Sequence, residues 1–163
     1  MSASTASLAT GNERLQALVG AWQGEEEMSA TQWAPAGLAT AELVTEPDCG
    51  GLYVVQRYRQ ARDGKPSFAS HNVFAFDRTD GSYKLYQFDS MGFMPVPASG
   101  AWTGDELVMV RTSERGSARV SYFFDSQDSY RTRLEFRPAG AADWQDMAKG
   151  TFRRVSPSSL TIS

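Results

Sequence analysis

The chain has 163 residues, enough for one domain with a sizeable core, and carries a net charge of −3, which argues against a dedicated nucleic-acid or anionic-membrane surface. A single cysteine, Cys49, excludes an intrachain disulfide, and a single histidine, His71, excludes multi-histidine metal centres and two-imidazole relays. No run has signal-peptide or membrane-span character, so a soluble, cytoplasmic protein is expected.

In chain order, residues 1–11 read as a flexible terminus, 12–156 as one domain and 157–163 as a polar tail. Asn12 is placed to cap a short helix, Leu15, Leu18 and Val19 follow at helical spacing, and Gly20 is suited to end it in a left-handed conformation. Everything after it is strand-like with turn punctuation: GAWQGEE, GLATAEL, GLYVVQRYRQ, SFASHNVFAF, SYKLYQFD, a piece ending at Trp102, ELVMVR, ARVSYFFD, SYRTRLEF and WQDMAKGTFRRV. Asp63-Gly64, Asp80-Gly81, Thr103-Gly104, Arg115-Gly116 and Ala139-Gly140 supply glycines for tight turns. About ten antiparallel strands in sequence would leave long edges unless the sheet closes, so the fold expected is all-β, an up-and-down barrel, with a two-sheet sandwich as the alternative.

GAWQGEE returns as GAWTGDE at residues 100–106. A duplication with that offset would give YVVQRYRQ a partner near RTRLEFRPAG, and the two do not match. The second copy therefore reads as a hairpin, with Thr103-Gly104 or Thr103-Gly104-Asp105 in its loop.

Three readings of the side chains concern chemistry. Arg131, Arg133 and Arg137 share one face of their strand, either a solvated face with acidic neighbours or an anion or partner site. Glu25-Glu26-Glu27 alternates across a strand and does not converge on one ion, so no metal site is expected. His71 and Asp89 lie on neighbouring strands, and the turn between them decides their relation. A three-residue loop, Thr79-Asp80-Gly81, pairs His71 with Asp89, whereas Asp80-Gly81 alone pairs it with Ser90. That pair is the one candidate for hydrolase-type catalysis. Either face of the His71 strand, Phe68-Ser70-Asn72-Phe74-Phe76 or Ala69-His71-Val73-Ala75, is compatible with the interior. The loop FDSMGFMP, with Met91, and the turn QWAPAG, with Trp33, can serve as rims or lids.

Gly20 and Trp22 on the first strand after a helix, with an Arg on the last strand, resemble the calycin pattern of lipocalins, fatty-acid-binding proteins and nitrobindin-like barrels. The resemblance implies an indole plugging one barrel end beneath a guanidinium, Arg154 or, one residue away, Arg153. GAWQG, WAPAG, YVVQRYRQARDG, SHNVFAFD, YQFDSMG, GAWTGDEL and GTFRRV together are similar to an uncharacterised bacterial family, the domain of unknown function numbered fifteen-seventy-nine. That family resemblance implies a calycin-like barrel without an assigned activity; the barrel architecture together with the calycin resemblance implies a barrel that binds a small hydrophobic ligand, with Trp33, His71, Asp89, Met91 and Trp102 as candidate contacts. A homodimer built on a filled barrel is the alternative. Nitrobindin-like barrels bind haem through a histidine late in the sequence. Residues 130–155 here contain none and Glu26 stands where the strand's next glycine would fall, so no cofactor is expected.

Overall fold

The computed structural model describes residues 11–32 and 34–161. Ten strands follow a short helical entry: β1 (Gly20–Met28), β2 (Gly37–Asp48), β3 (Tyr53–Arg62), β4 (Lys65–Asp77), β5 (Ser82–Asp89), β6 (Ala98–Thr103), β7 (Glu106–Ser113), β8 (Gly116–Ser126), β9 (Ser129–Pro138) and β10 (Gln145–Val155). All neighbours are antiparallel and sequential, and β1 pairs with both β2 and β10, so the sheet closes into a barrel. Closure leaves every strand with two partners and removes the edges that a ten-strand meander would expose. The sandwich alternative is thereby excluded.

The period of two along each strand sorts side chains into inside and outside. Trp22, Gly24 and Glu26 face Leu43, Ala41 and Ala39 across β1 and β2, and these face Tyr58 and Gln60 on β3. Trp22, Val54, Phe74, Leu107, Met109, Tyr122, Tyr130 and Phe152 form the core at the end where β1 begins. Residues 11–14 are helical and continue into a 3-10 turn, Leu15–Leu18, whose two leucines are fully buried against that core.

Local differences from the sequence reading have physical causes. Asn12 already lies within the helix rather than capping it, and Gly20 does not end it. Val19 is extended and Gly20, at φ 137°, opens β1. The second GAW hairpin turns on Gly104-Asp105, because Thr103 pairs with Glu106; Gly104 has φ 60°. Residues 157–161 are polar and docked on the outside of the barrel: Gln23 Nε2 donates to the Ser159 carbonyl at 3.1 Å and the Thr161 hydroxyl donates to Glu42 at 2.7 Å. The flexible-terminus expectation falls almost wholly on residues outside those described. Among the described residues no helix is long and apolar enough to cross a membrane.

Candidate functional site

The barrel has two unlike ends. At the first, Trp22 is fully buried, its indole N–H donates to the Leu18 carbonyl at 3.0 Å, and Tyr130 meets its ring edge-on at 4.7 Å. Tyr130 in turn stacks on Phe152 at 5.1 Å and contacts Phe124 and Tyr122. Arg154 pairs with Trp22 in the β1–β10 register and holds its guanidinium 4.3 Å from the indole centroid. Its Nη1 also donates to the Val19 carbonyl at 2.6 Å. A Cβ on Gly20 would overlap that guanidinium, which together with its positive φ explains the glycine. Arg153 points to the other face. Trp102 belongs to this end too: it packs on Phe124 at 5.6 Å, with Arg14 of the helical entry 4.9 Å above its ring.

At the other end the lumen is open. Leu134 lies on the inner face between Val120 of β8 and Ala148 of β10, yet is 39% exposed. Phe68, Ser70, Gln87, Asp89 and Arg111, inner-face residues of the same half, are only half-buried. Below them lies a polar layer. Glu26 is buried with Tyr58, whose hydroxyl donates to Glu26 Oε1, and Gln60 Nε2 donates to the same oxygen at 3.3 Å and to the Tyr58 hydroxyl at 3.0 Å. Ser67 donates to Gln60 Oε1 at 3.0 Å and so fixes that amide. Burial pushes the Glu26 carboxyl above its ordinary value while the bonds from Tyr58 and Gln60 oppose the shift; burial and the nearby carboxylate both push the Tyr58 hydroxyl up. A second ladder runs from Asn72 through Gln56 to Thr45 by bonds of 2.9 and 3.2 Å. Asn72 Oδ1, the Tyr130 hydroxyl and Trp102 Nε1 are buried with no hydrogen-bond partner among the described residues.

The β4–β5 turn holds four residues, because Asp77 pairs with Ser82. Gly81 N–H donates to the Asp77 carbonyl at 2.8 Å, and Asp80 accepts from the Ser82 hydroxyl at 2.7 Å, from Lys84 at 2.9 Å and from Ser82 N–H at 2.9 Å, which lowers its carboxyl to about 2. Neither two nor three residues satisfies these bonds. The register consequently sets Asp89 opposite Ser70 and His71 opposite Phe88. His71 is exposed on the outer face beside Arg57, while Asp89 turns inward and accepts from Met91 N–H at 2.9 Å. The expected His71–Asp89 pair does not form, which removes the basis of the hydrolase reading, and His71 does not line the lumen. Met91, 66% exposed, sits in the β5–β6 loop beside the mouth. Trp102 is at the closed end, away from that mouth, and Trp33 lies outside the described residues.

The arginine face of β9 is external and paired: Arg131 with Asp125 at 3.0 Å, Arg133 with Asp146 at 2.7 Å, and Arg137 over Trp144 at 4.8 Å. Among the described residues no group of acidic, histidine or cysteine side chains could hold a metal ion. A groove of about 1030 Å³ runs past Gln23, Glu42, Arg59 and Arg153 to Thr161, mixing both charges, and also touches Gln60, Phe68 and Phe152 of the inner face.

Glu26, Tyr58, Gln60, Asn72 and Leu134 were not singled out as binding residues by the sequence reading. Glu26 had a signal: it lies two and four residues from Gly24 and Trp22, hence on the inward face of β1.

In fold the chain is similar to Rv2717c from M. tuberculosis, with a TM-score of 0.69 and 19% identity over 89% of this chain and 97% of that one. It is likewise similar to the S-type phycobiliprotein lyase CPES from Guillardia theta, with a TM-score of 0.65 and 11% identity over 88% and 92% of the two chains. No curated protein matches it in sequence. Residues 10–154, nearly the whole barrel, match the family described as protein of unknown function, DUF1579, and the chain belongs to that family.

Proposed function

We propose that the protein holds a small amphipathic molecule in the open half of its barrel. Leu134 is the observation that carries this reading: an inward-pointing leucine that is 39% exposed marks a lumen open to solvent rather than filled. Apolar walls above a few buried polar groups are the usual make-up of a small-ligand site. Phe68 and Leu134 supply wall, Asp89 and Met91 the rim, and Glu26, Tyr58 and Gln60 the polar base. Asn72 Oδ1 and the Tyr130 hydroxyl, buried without a partner among the described residues, are atoms an internal water would satisfy. The fold is shared with a protein named as a phycobiliprotein lyase, which supports a binding use of this barrel by analogy alone. His71, the sole histidine, faces outward, which favours a ligand held without an imidazole–iron bond. The lone free Cys49 is exposed, in keeping with a reducing, cytoplasmic setting.

The test is titration with Nile red, a neutral dye that brightens in apolar surroundings. Binding to the wild type, lost in Ala118→Phe, is the expected result, because Ala118 faces inward opposite Arg111 and Phe136 and a phenyl group there fills the lumen. Equal binding by a folded Ala118→Phe would overturn the reading.

A second reading, a homodimer, is favoured by Tyr86 and Phe88 on the outside of β5, which are 41% and 48% exposed beside Phe93 and Met94 of the β5–β6 loop. A monomeric mass in solution would exclude it.

A further inference from the structure

Glu26 is an incomplete ion pair. Among the described residues, none of the salt bridges involves it, although buried carboxylates are ordinarily paired with a cation. Among the described residues, the other ionisable side chains on the inner face of the open half are Arg62, next after Gln60 on β3 and donating to the Pro35 carbonyl at 2.8 Å, Asp89 and Arg111, all nearer the rim, and the groups acting on Glu26 itself are Tyr58 and Gln60. Tyr58, Tyr122 and Tyr130 all register its charge, so the carboxyl sits in a shell of phenols without a counter-cation.

Glu26 is one rung below the mouth, with Met28, whose sulfur lies 3.5 Å from Gln60 Nε2, between it and solvent. Glu26 pairs with Gly150, and Gly150 with Thr132; the next rung toward the mouth is Met28, Ala148 and Leu134. Glu26 therefore lies about 7 Å below the exposed leucine, two residues along the strand. Position 150 has no room for a side chain, since a Cβ there would sit 2.6 Å from Thr132 Oγ1, 2.7 Å from the Phe152 ring and 3.3 Å from Glu26 Cγ, so Glu26 packs closely against β10. Gly150, Ala148 and Ala39 place no bulky side chain beside Glu26 on β10 and β2.

We infer that Glu26 anchors a ligand with a protonated nitrogen, an amine on an apolar body, whose ammonium completes the ion pair while the body lies along Leu134 and Phe68. This rests on the small-molecule reading above. Tyr58 and Gln60 are positioning residues: their bonds to Oε1 hold the carboxyl in place and favour its charged form, which burial alone opposes. An ammonium beside Glu26 favours the charged form further, in the direction opposite to burial.

The experiment is displacement of Nile red by three matched amphiphiles below their micellar concentrations: dodecylamine, dodecanol and dodecanoate. The wild type is expected to bind the amine at least about 10-fold more tightly than the alcohol, the worth of a charge-assisted contact over a neutral one, and the carboxylate most weakly. Glu26→Gln, an isosteric change checked by thermal melting, is expected to bring the amine-to-alcohol ratio to about 1 while dodecanol affinity holds. Tyr58→Phe, which removes the hydroxyl that holds the carboxyl and favours its charge, is expected to weaken the preference without abolishing it. Dye binding without an amine preference in the wild type, or a preference that survives in Glu26→Gln, would overturn the ionic anchor and leave the binding reading standing. Failure of the wild type to bind the dye or any of the three would overturn both.

Discussion

Arg154 lies across Trp22 at 4.3 Å while donating to the Val19 carbonyl one residue before the strand begins, so a single side chain joins the last strand, the first strand and the helical entry. Its ion pair with Asp128, which is 78% exposed, adds little beside those contacts. Arg154→Ala is expected to cost about 2 kcal/mol, from one cation–π contact and two or three hydrogen bonds, and to lower Tm by about 5 °C in a chain of this size. Arg154→Lys should recover less than half, since an ammonium cannot both cover the indole and reach the carbonyls of Val19 and Gln127. Thermal denaturation of the two variants measures this, and equal stability of both with the wild type would show that the closed end does not depend on the guanidinium.

The two glycines of GAWTG differ in what they do. At Gly100 a Cβ would overlap the Val108 carbonyl on the neighbouring strand, whereas at Gly104 nothing lies within 4 Å and only the φ of 60° resists a side chain. Gly100→Ala is expected to destabilise by about 2–3 kcal/mol by forcing β6 from β7, and Gly104→Ala by about 1 kcal/mol. Chemical denaturation of both gives the order, and a reversed order would refute the close approach of the strands.

His71→Ala is expected to leave dye binding unchanged and stability within about 0.5 kcal/mol, because the ring is on the exposed outer face. Loss of binding in this variant would place the ligand outside the barrel. The outer surface, with Arg57 and Phe88 as neighbours of His71, would then be the place to look.

Strand number and closure were legible because they follow from rules of period two and of turns, which act locally, whereas which face of β4 turns inward was left open because both carry apolar residues. SYKLYQFD coincides with β5 residue for residue, and Phe74 and Asn72 fall on the inner face of β4. What the sequence left open was one residue of loop length. The β4–β5 turn takes four residues because Asp77 and Asp80 each cap backbone N–H groups within it, side-chain bonds that no hydrophobic pattern encodes. That single residue carries His71 away from Asp89. The polar base was hidden for a different reason: Glu26, Tyr58 and Gln60 come from strands one and three, and only the sum of two registers brings them together.

Glu26 also makes stability depend on pH in a definite direction. Burial holds its carboxyl above the ordinary value of 4.5, so between that value and the folded one the native chain keeps a proton that the unfolded chain has released. The native state then binds more protons, and its stability falls as pH rises through this window; below the window the carboxyl is protonated in both states and the loss vanishes. Glu26→Gln removes the titrating group and keeps an acceptor for the Tyr58 hydroxyl. The melting temperature of the variant relative to the wild type is therefore expected to rise between about pH 4 and about pH 8, by an amount that dodecylamine reduces when it pairs with the wild-type carboxylate. Melting curves of both proteins across that range, with and without the amine, test the assignment. A gap that stays constant with pH would mean that the carboxyl is ionised throughout and already compensated.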